Sequence, residues 1–109
     1  MTASIVNGDR LELSQNLTVR AITAIQQEML QFIDSNKSST IAIADDCQVD
    51  LSFVQLMEAA RIYAGTAGKG IALAAPASGS LLDVLKRGGF LEGMSAEDAK
   101  FWLHQGGIQ

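Results

Sequence analysis

The fold is decided by residues 40–56, which read TIAIADDCQVDLSFVQL. The first five of these are short, partly β-branched and almost wholly apolar, which is typical of a parallel strand buried on both faces. A polar loop follows at residues 45–48. Ser52 and Gln55 then fit a capping box, in which the N-cap hydroxyl and the third side chain satisfy each other's backbone donors. The stretch therefore predicts a buried strand, a loop and a helix capped by Ser52.

The predicted helix has a second signal at its start. Leu51 precedes the cap and Leu56 follows it by four residues, the spacing of a hydrophobic staple. The apolar pattern continues to Ala64, and Gly65 is a residue that ends helices well.

Toward the N-terminus the segments alternate between strand and helix patterns. The Asn7-Gly8 dipeptide between two short apolar runs predicts a β-hairpin. Thr18 is the predicted N-cap of a first helix. This helix has one apolar stripe, formed by Val19, Ile22, Ile25, Met29, Phe32 and Ile33.

Toward the C-terminus, residues 70–74 predict a second buried strand, which stops before Pro76 because proline has no backbone donor. Residues 80–86 predict a short helix, and Phe90-Leu91 a short apolar return. Residues 95–105 predict a last helix with two acids in its first turn, where the helix dipole favours them. The alternation predicts one α/β domain over residues 1–109, with a central parallel pair of strands covered by helices on at least one face.

Composition limits the chemistry that the chain can carry. The 109 residues include one His and one Cys, which rules out a His/Cys zinc site and an intramolecular disulfide and argues against a Ser/His/Asp or Cys/His catalytic site. We therefore expect no enzyme activity, no cofactor and no metal. Eight basic against 12 acidic residues give a net charge of −4, which argues against binding to a nucleic-acid backbone.

The same sequence predicts a soluble cytoplasmic protein. The longest strongly apolar stretch, residues 71–77, is too short to span a bilayer, so no direct membrane insertion is expected. Residues 1–13 lack the charged and apolar regions of a signal peptide. A lone Cys fits a reducing compartment.

The order of the elements resembles the STAS domain, the fold of anti-sigma factor antagonists. The resemblance covers about residues 11–91 and includes five pieces of sequence: Leu17-Thr18, the strand at 41–44, the motif at 49–56, Gly68-Lys69-Gly70 and Gly89-Phe90. It implies a single STAS-like domain with a mixed four- to five-stranded sheet covered by about four helices.

The resemblance also implies a non-enzymatic interaction domain in bacterial signal transduction and transcription regulation. Regulated members carry a Ser or Thr directly after the motif Asp, and a serine kinase that is often also the anti-sigma factor phosphorylates it, while a phosphatase resets the switch. Here the motif Asp matches Asp50 and the next residue is Leu51, so Ser52 is the candidate phosphoacceptor. The motif is similar to STAS proteins of chemotaxis and two-component systems, which implies a signalling histidine kinase as the other partner class.

We expect the partner to bind the Asp50 loop and the following helix, at Asp50, Leu51, Ser52, Phe53 and Gln55. On this hypothesis Asp50→Lys and Ser52→Asp weaken partner binding and leave stability nearly unchanged. Structural alternatives stay open: Ser52 as a plain N-cap, Asp50 as a loop acid near the helix dipole, and Phe53 as a core residue.

Three further points concern the partner, an alternative function and the oligomeric state. Three acids, Asp45, Asp46 and Asp50, lie within six residues, so a partner with a basic surface is expected. The alternative function is a constitutive STAS-like subunit of an ABC complex of lipid-transport type, which the absence of a phosphoacceptor at Leu51 also fits. The sequence leaves the oligomeric state open, a dimer included.

Overall fold

The computed structural model of the chain describes residues 5–104. Its strands are β1 (Ile5–Asn7), β2 (Arg10–Glu12), β3 (Asn16–Leu17), β4 (Ser38–Ala42), β5 (Gln48–Val49) and β6 (Gly70–Leu73). Its helices are α1 (Ile22–Ser35), α2 (Leu51–Thr66), α3 (Gly79–Arg87) and α4 (Ala96–Leu103). The predicted α/β class with about four helices is confirmed for these residues. The last helix was predicted over 95–105, and residue 105 lies outside the described residues.

Four strands form one mixed sheet in the order β1-β2-β4-β6. Strands β1 and β2 form the predicted hairpin, and Gly8 in its turn has a φ of 68°, which glycine adopts without steric penalty. Strands β2, β4 and β6 run parallel, which confirms the predicted parallel pair. A separate parallel ladder of two residue pairs joins β3 to β5.

One row of side chains across the sheet anchors the core. Leu11, Ile41 and Leu73 pair in register and are all buried, together with the inner faces of α1 and α2. The alternate residues point to the opposite face of the sheet. On that face Thr40 is half-buried and Ala72 is exposed. Helices therefore cover at least one face of the parallel pair, as predicted, but the expectation that the strand at 40–44 is buried on both faces is wrong.

Helix α1 begins later than the sequence predicts. The Asn16 Oδ1 accepts hydrogen bonds from the Thr18 N–H at 3.3 Å and from the Thr18 hydroxyl at 2.7 Å. The Ala21 N–H then donates to the Thr18 carbonyl at 2.9 Å, so a turn precedes the first helical residue, Ile22. This turn directs Val19 outward, and Val19 is 65% exposed rather than part of the buried stripe.

Helix α4 is held against α2 by Arg61. The Arg61 Nη1 donates to the Asp98 Oδ1 at 2.9 Å and to the Glu58 Oε2 at 3.1 Å. Its guanidinium lies 4.4 Å from the centroid of the Phe101 ring, a cation–π geometry. The Trp102 Nε1 donates to the same Glu58 Oε2 at 3.0 Å. Both charged residues of α2 are thus engaged with α4.

The segment between α3 and α4 forms turns. Phe90 and Leu91, the predicted apolar return, are half-buried against the core. Helix α4 begins where predicted, since the Ser95 Oγ accepts from the Asp98 N–H at 3.1 Å. None of the helices in residues 5–104 has the length and apolar character needed to cross a bilayer.

Candidate functional site

The predicted partner-binding junction lies where two chain segments run side by side. Strand β3 leads toward α1 and strand β5 leads into α2, and Leu17 pairs with Val49 between them. The Gln48 N–H donates to the Gln15 carbonyl at 2.7 Å, and the Asp50 N–H donates to the Leu17 carbonyl at 3.4 Å. These bonds bring the N-terminal ends of both helices to the same end of the molecule.

The Asp50 carboxylate joins the two segments. Its Oδ2 accepts from the Val19 N–H at 3.0 Å, and its Oδ1 accepts from the Ser52 N–H at 3.0 Å and from the Ser52 hydroxyl. We call Asp50 with these two partners the Asp50 clasp. Hydrogen-bond donors stabilise the ionised form of Asp50, and the Ser52 hydroxyl has the largest effect. These donors hold the pKa of Asp50 below its usual value, although burial acts in the opposite direction. Both carboxylate oxygens of Asp50 therefore accept hydrogen bonds from other residues of the chain.

The cap of α2 differs from the prediction. The helix starts at Leu51, and its N-cap is Asp50, whose side chain accepts from the Ser52 N–H. The Ser52 hydroxyl donates to Asp50 instead of capping the helix. The Gln55 side chain is exposed and Leu51 is 44% exposed, so the capping box and the staple are both wrong. A charged carboxylate is a stronger acceptor than a hydroxyl, and it lies at the position from which it also reaches Val19.

The five predicted contact residues divide between surface and core. Leu51 and Gln55 are exposed, and Asp50 and Ser52 are half-buried. Phe53 has no exposed surface and belongs to the core, so its prediction as a partner contact is corrected in favour of the core alternative. Phe53 precedes the buried residues Met57 and Ala60 by four and seven positions, so it lies on the helix side that faces the sheet.

Val19 is a surface residue that the sequence interpretation missed. Its side chain is 65% exposed, and its N–H is bonded to Asp50. Val19 is thus bonded to the Asp50 carboxylate through its backbone, and Leu51 follows Asp50 directly in the chain. The signal that could have found it is Asn16, because an Asn two residues before Thr18 favours a local side-chain-to-backbone turn and a later helix start.

The two acids after β4 are bonded to neighbouring loops. The Gln15 Nε2 donates to both oxygens of Asp46 at 3.0 and 3.1 Å, and the Ser78 Oγ donates to the Asp45 Oδ1 at 2.6 Å. Both acids remain exposed, so this edge of the junction is acidic. Among residues 5–104, no three His, Cys, Asp or Glu side chains are grouped to hold a metal ion.

The single Cys and the single His have other surroundings. Cys47 is buried, and burial raises the pKa of its thiol, with a smaller contribution from the charges of Asp46 and Asp45. A buried, protonated thiol is a weak nucleophile. The His104 Nε2 donates to the Leu73 carbonyl at 3.0 Å, at the end of α4.

The junction can present a contact surface. Two exposed apolar side chains, Leu51 and Val19, stand beside a carboxylate that is fixed by internal hydrogen bonds, with an acidic loop alongside. An apolar centre with a charged rim is typical of protein–protein contacts. Comparisons of the chain with protein-family models, with curated proteins and with solved structures found no match.

Proposed function

We propose that this chain is a non-enzymatic regulatory interaction domain, resembling anti-sigma factor antagonists, that binds a protein partner at the start of α2. The observation that carries the proposal is that Val19 and Leu51 are 65% and 44% exposed, the first bonded to the Asp50 carboxylate through its N–H and the second next to Asp50 in the chain. Single exposed apolar residues are ordinary, but neighbouring ones in a fixed arrangement favour a binding surface.

The partner class follows from the resemblance and from charge. A serine kinase that is also an anti-sigma factor, or a signalling histidine kinase, is the class that the resemblance implies. Asp45 and Asp46 add an exposed acidic edge, which favours a basic surface on the partner and faster encounter.

Phosphorylation of Ser52 would act through the Asp50 clasp. Its hydroxyl donates to the Asp50 Oδ1, so transfer of a phosphoryl group to Ser52 removes that donor. The phosphate would then lie beside a carboxylate, and like charges at that separation repel. The expected result is an opened N-terminus of α2 and a displaced Leu51, and dephosphorylation by a phosphatase would restore the surface.

A second candidate is the constitutive subunit of an ABC complex of lipid-transport type. The observation that favours it is Leu51 itself. It is a permanently exposed apolar residue at the position where regulated members of the resembled family carry the phosphoacceptor. A contact surface without a phosphorylation switch suits a partner that stays bound permanently.

The test is a quantitative pull-down from the source organism with three baits: the unmodified chain, Leu51→Lys and Val6→Lys. Val6 is the matched control because it is 63% exposed and aliphatic but lies on β1, outside the junction. A specific protein other than this chain itself that the first and third baits retain and Leu51→Lys loses supports the proposal. Equal recovery on all three baits overturns it.

The captured protein then separates the two candidates. A kinase that adds one phosphate to this chain in the presence of ATP, read by intact mass and lost in Ser52→Ala, supports the switch. An ATPase that co-purifies in fixed stoichiometry, with no added phosphate, supports the constitutive subunit.

A further inference from the structure

Helices α1 and α2 lie side by side and point the same way. Their N-terminal ends are joined by the Asp50 clasp. Their C-terminal ends are joined by the Tyr63 hydroxyl, which donates to the Asp34 Oδ1 at 2.5 Å, and by the Lys69 Nζ, which donates to the Ile33 carbonyl at 3.2 Å. The pair therefore forms one outer face with defined ends.

This outer face is almost without charge. The exposed residues of α2 are Leu51, Gln55, Ala59, Ile62, Tyr63, Gly65 and Thr66. The two charged residues of α2, Glu58 and Arg61, are half-buried and bonded to α4. In α1, Asp34 is the one charged residue that is exposed, and it bonds to Tyr63, while Glu28 is half-buried and also has an interaction partner. Charged residues usually make up about 25–35% of a surface, and their depletion is typical of interface centres.

Two apolar residues form a line along this face. Leu51 and Ile62 are 44% and 68% exposed. Eleven residues of helix are about three turns, so both side chains lie on nearly the same line, about 16 Å apart. Gln55 and Ala59 lie between them. We call the line from Leu51 to Ile62 the α2 ridge.

We propose that two copies of this chain form a symmetric dimer by packing their α2 ridges against each other in antiparallel orientation. In a twofold contact, residue i of one copy meets residue j of the other and the reverse. An antiparallel crossing near Gln55 and Ala59 places Leu51 of each copy opposite Ile62 of the second copy. The ridge is self-complementary because it has an apolar residue at each end, so each end meets an apolar residue of the second copy.

Charge at the two ends of the face selects the antiparallel orientation. The end at which the helices begin is net negative, with Asp45, Asp46 and Asp50 against Arg20. The other end is net positive, with Lys37, Lys69 and Arg10 as basic residues and Asp34 and Asp9 as acidic ones. Antiparallel packing places each negative end near a positive one, whereas parallel packing places like ends together. The whole chain carries −4, so contact through a nearly uncharged face also avoids the repulsion of two acidic molecules.

The size of the face limits the surface area that the dimer can bury. A 16-residue helix is about 24 Å long. Two neighbouring helices are together about 20 Å wide. The face therefore offers about 500 Å² per copy and about 1,000 Å² in total, the lower limit of specific interfaces. We expect a dimer whose population rises with concentration.

The dimer does not depend on the proposed function, because purified chain alone should form it. If both hold, they compete, since Leu51 belongs to the α2 ridge and to the partner-binding junction. Self-association would then hold the chain in a form that cannot bind its partner.

The first test is sedimentation velocity of the purified chain over a concentration series. Leu51→Glu and Ile62→Lys are the test variants, because Glu suits the start of α2 and Lys suits its last turns, so neither opposes the helix dipole. Each buries an unpaired charge twice in the twofold contact and should lower the association constant at least tenfold. Val6→Glu and Val6→Lys, made on β1, should leave it unchanged, and circular dichroism verifies the folding of all four variants.

The second test mixes Leu51→Glu with Ile62→Lys, one of them carrying a fluorescent label. In the mixed dimer the carboxylate introduced by Leu51→Glu lies opposite the ammonium introduced by Ile62→Lys, and the unchanged Leu51 and Ile62 meet on the other side. The association lost in each variant alone should therefore return. A chain that stays monomeric up to millimolar concentration overturns the dimer. Association that both single variants retain, or that mixing fails to restore, overturns the antiparallel ridge.

Discussion

Val19 and Asp50 are 31 residues apart in the chain, and the Val19 N–H donates to the Asp50 Oδ2 at 3.0 Å. The other carboxylate oxygen caps α2 through the Ser52 N–H. One side chain therefore fixes the entry into α1 against the start of α2. The exposed residues Val19 and Leu51 are each adjacent to this contact, so the geometry of the candidate surface depends on the Asp50 clasp.

Asp50→Ala should lower the free energy of unfolding by about 2 kcal/mol, because it removes a helix cap and the acceptor of the Val19 N–H. Asp50→Asn should lower it by about half as much, since an amide oxygen can still accept from Ser52 while the amide nitrogen cannot accept from Val19. Urea denaturation measures both. The control is Asp46→Ala, which removes only an exposed side-chain bond and should change stability by less than about 0.5 kcal/mol. Equal effects of Asp50→Ala and Asp46→Ala would contradict the clasp.

The pKa of Asp50 gives a pH dependence of defined sign. A carboxyl group whose folded pKa is lowered stabilises the folded state above its unfolded pKa of about 3.9, and this contribution is lost as the pH falls through the folded pKa. Ser52→Ala removes the largest cause of the lowering, so it should raise the pKa of Asp50. NMR titration of the Asp50 carboxyl carbon in both proteins measures this. An unchanged pKa in Ser52→Ala would show that the hydroxyl does not donate to Asp50.

Local chemistry made part of this fold predictable. The Asn7-Gly8 hairpin depends on a turn that glycine permits, and the parallel strands depend on short apolar runs, so each is encoded within a few residues. The one-sided burial of the strands is a tertiary property, because it depends on which helices pack where and not on the strand residues alone.

The cap of α2 was predicted at the wrong residue. Asp50 and Ser52 are both good N-cap residues, and sequence alone does not decide between them. Asp50 is the cap, and it also accepts a bond from Val19, a partner that sequence spacing does not reveal. For the same reason we now expect Asp50→Lys and Ser52→Asp to lower stability, since the first removes the acceptor and the second places two carboxylates together.

Tyr63 is the single tyrosine of the chain, so its titration can be followed without overlap. Its hydroxyl donates to Asp34, and this bond, with smaller effects of burial and of the Asp34 charge, raises the pKa of Tyr63 above its usual value. Spectrophotometric titration should give tyrosinate at a higher pH than free tyrosine, and Asp34→Asn should bring it down. The raised pKa stabilises the folded state below about pH 10, and the contribution is lost as the pH rises through the folded pKa.

A control for this titration is Asp83→Asn, because Asp83 pairs with Arg87 on α3 and is not among the groups that shift the pKa of Tyr63. It should leave the tyrosinate titration unchanged. An identical titration in Asp34→Asn and the unmodified chain would show that the hydrogen bond from Tyr63 to Asp34 is absent.

Gly79, the first residue of α3, packs against the loop that carries Asp45 and Asp46 and admits no side chain. Its φ is 55°, and a Cβ built there would lie 2.5 Å from the Asp45 carbonyl oxygen. Gly79→Ala should therefore lower the free energy of unfolding by about 3 kcal/mol, from the left-handed backbone and from the clash together. Gly89→Ala is the matched control, because its φ is 78° but no atom lies within 4 Å of the added Cβ. It should lower stability by about 1 kcal/mol, from backbone conformation alone. Chemical denaturation of the two variants measures the difference, and equal losses would mean that the loop after β4 does not pack against the start of α3.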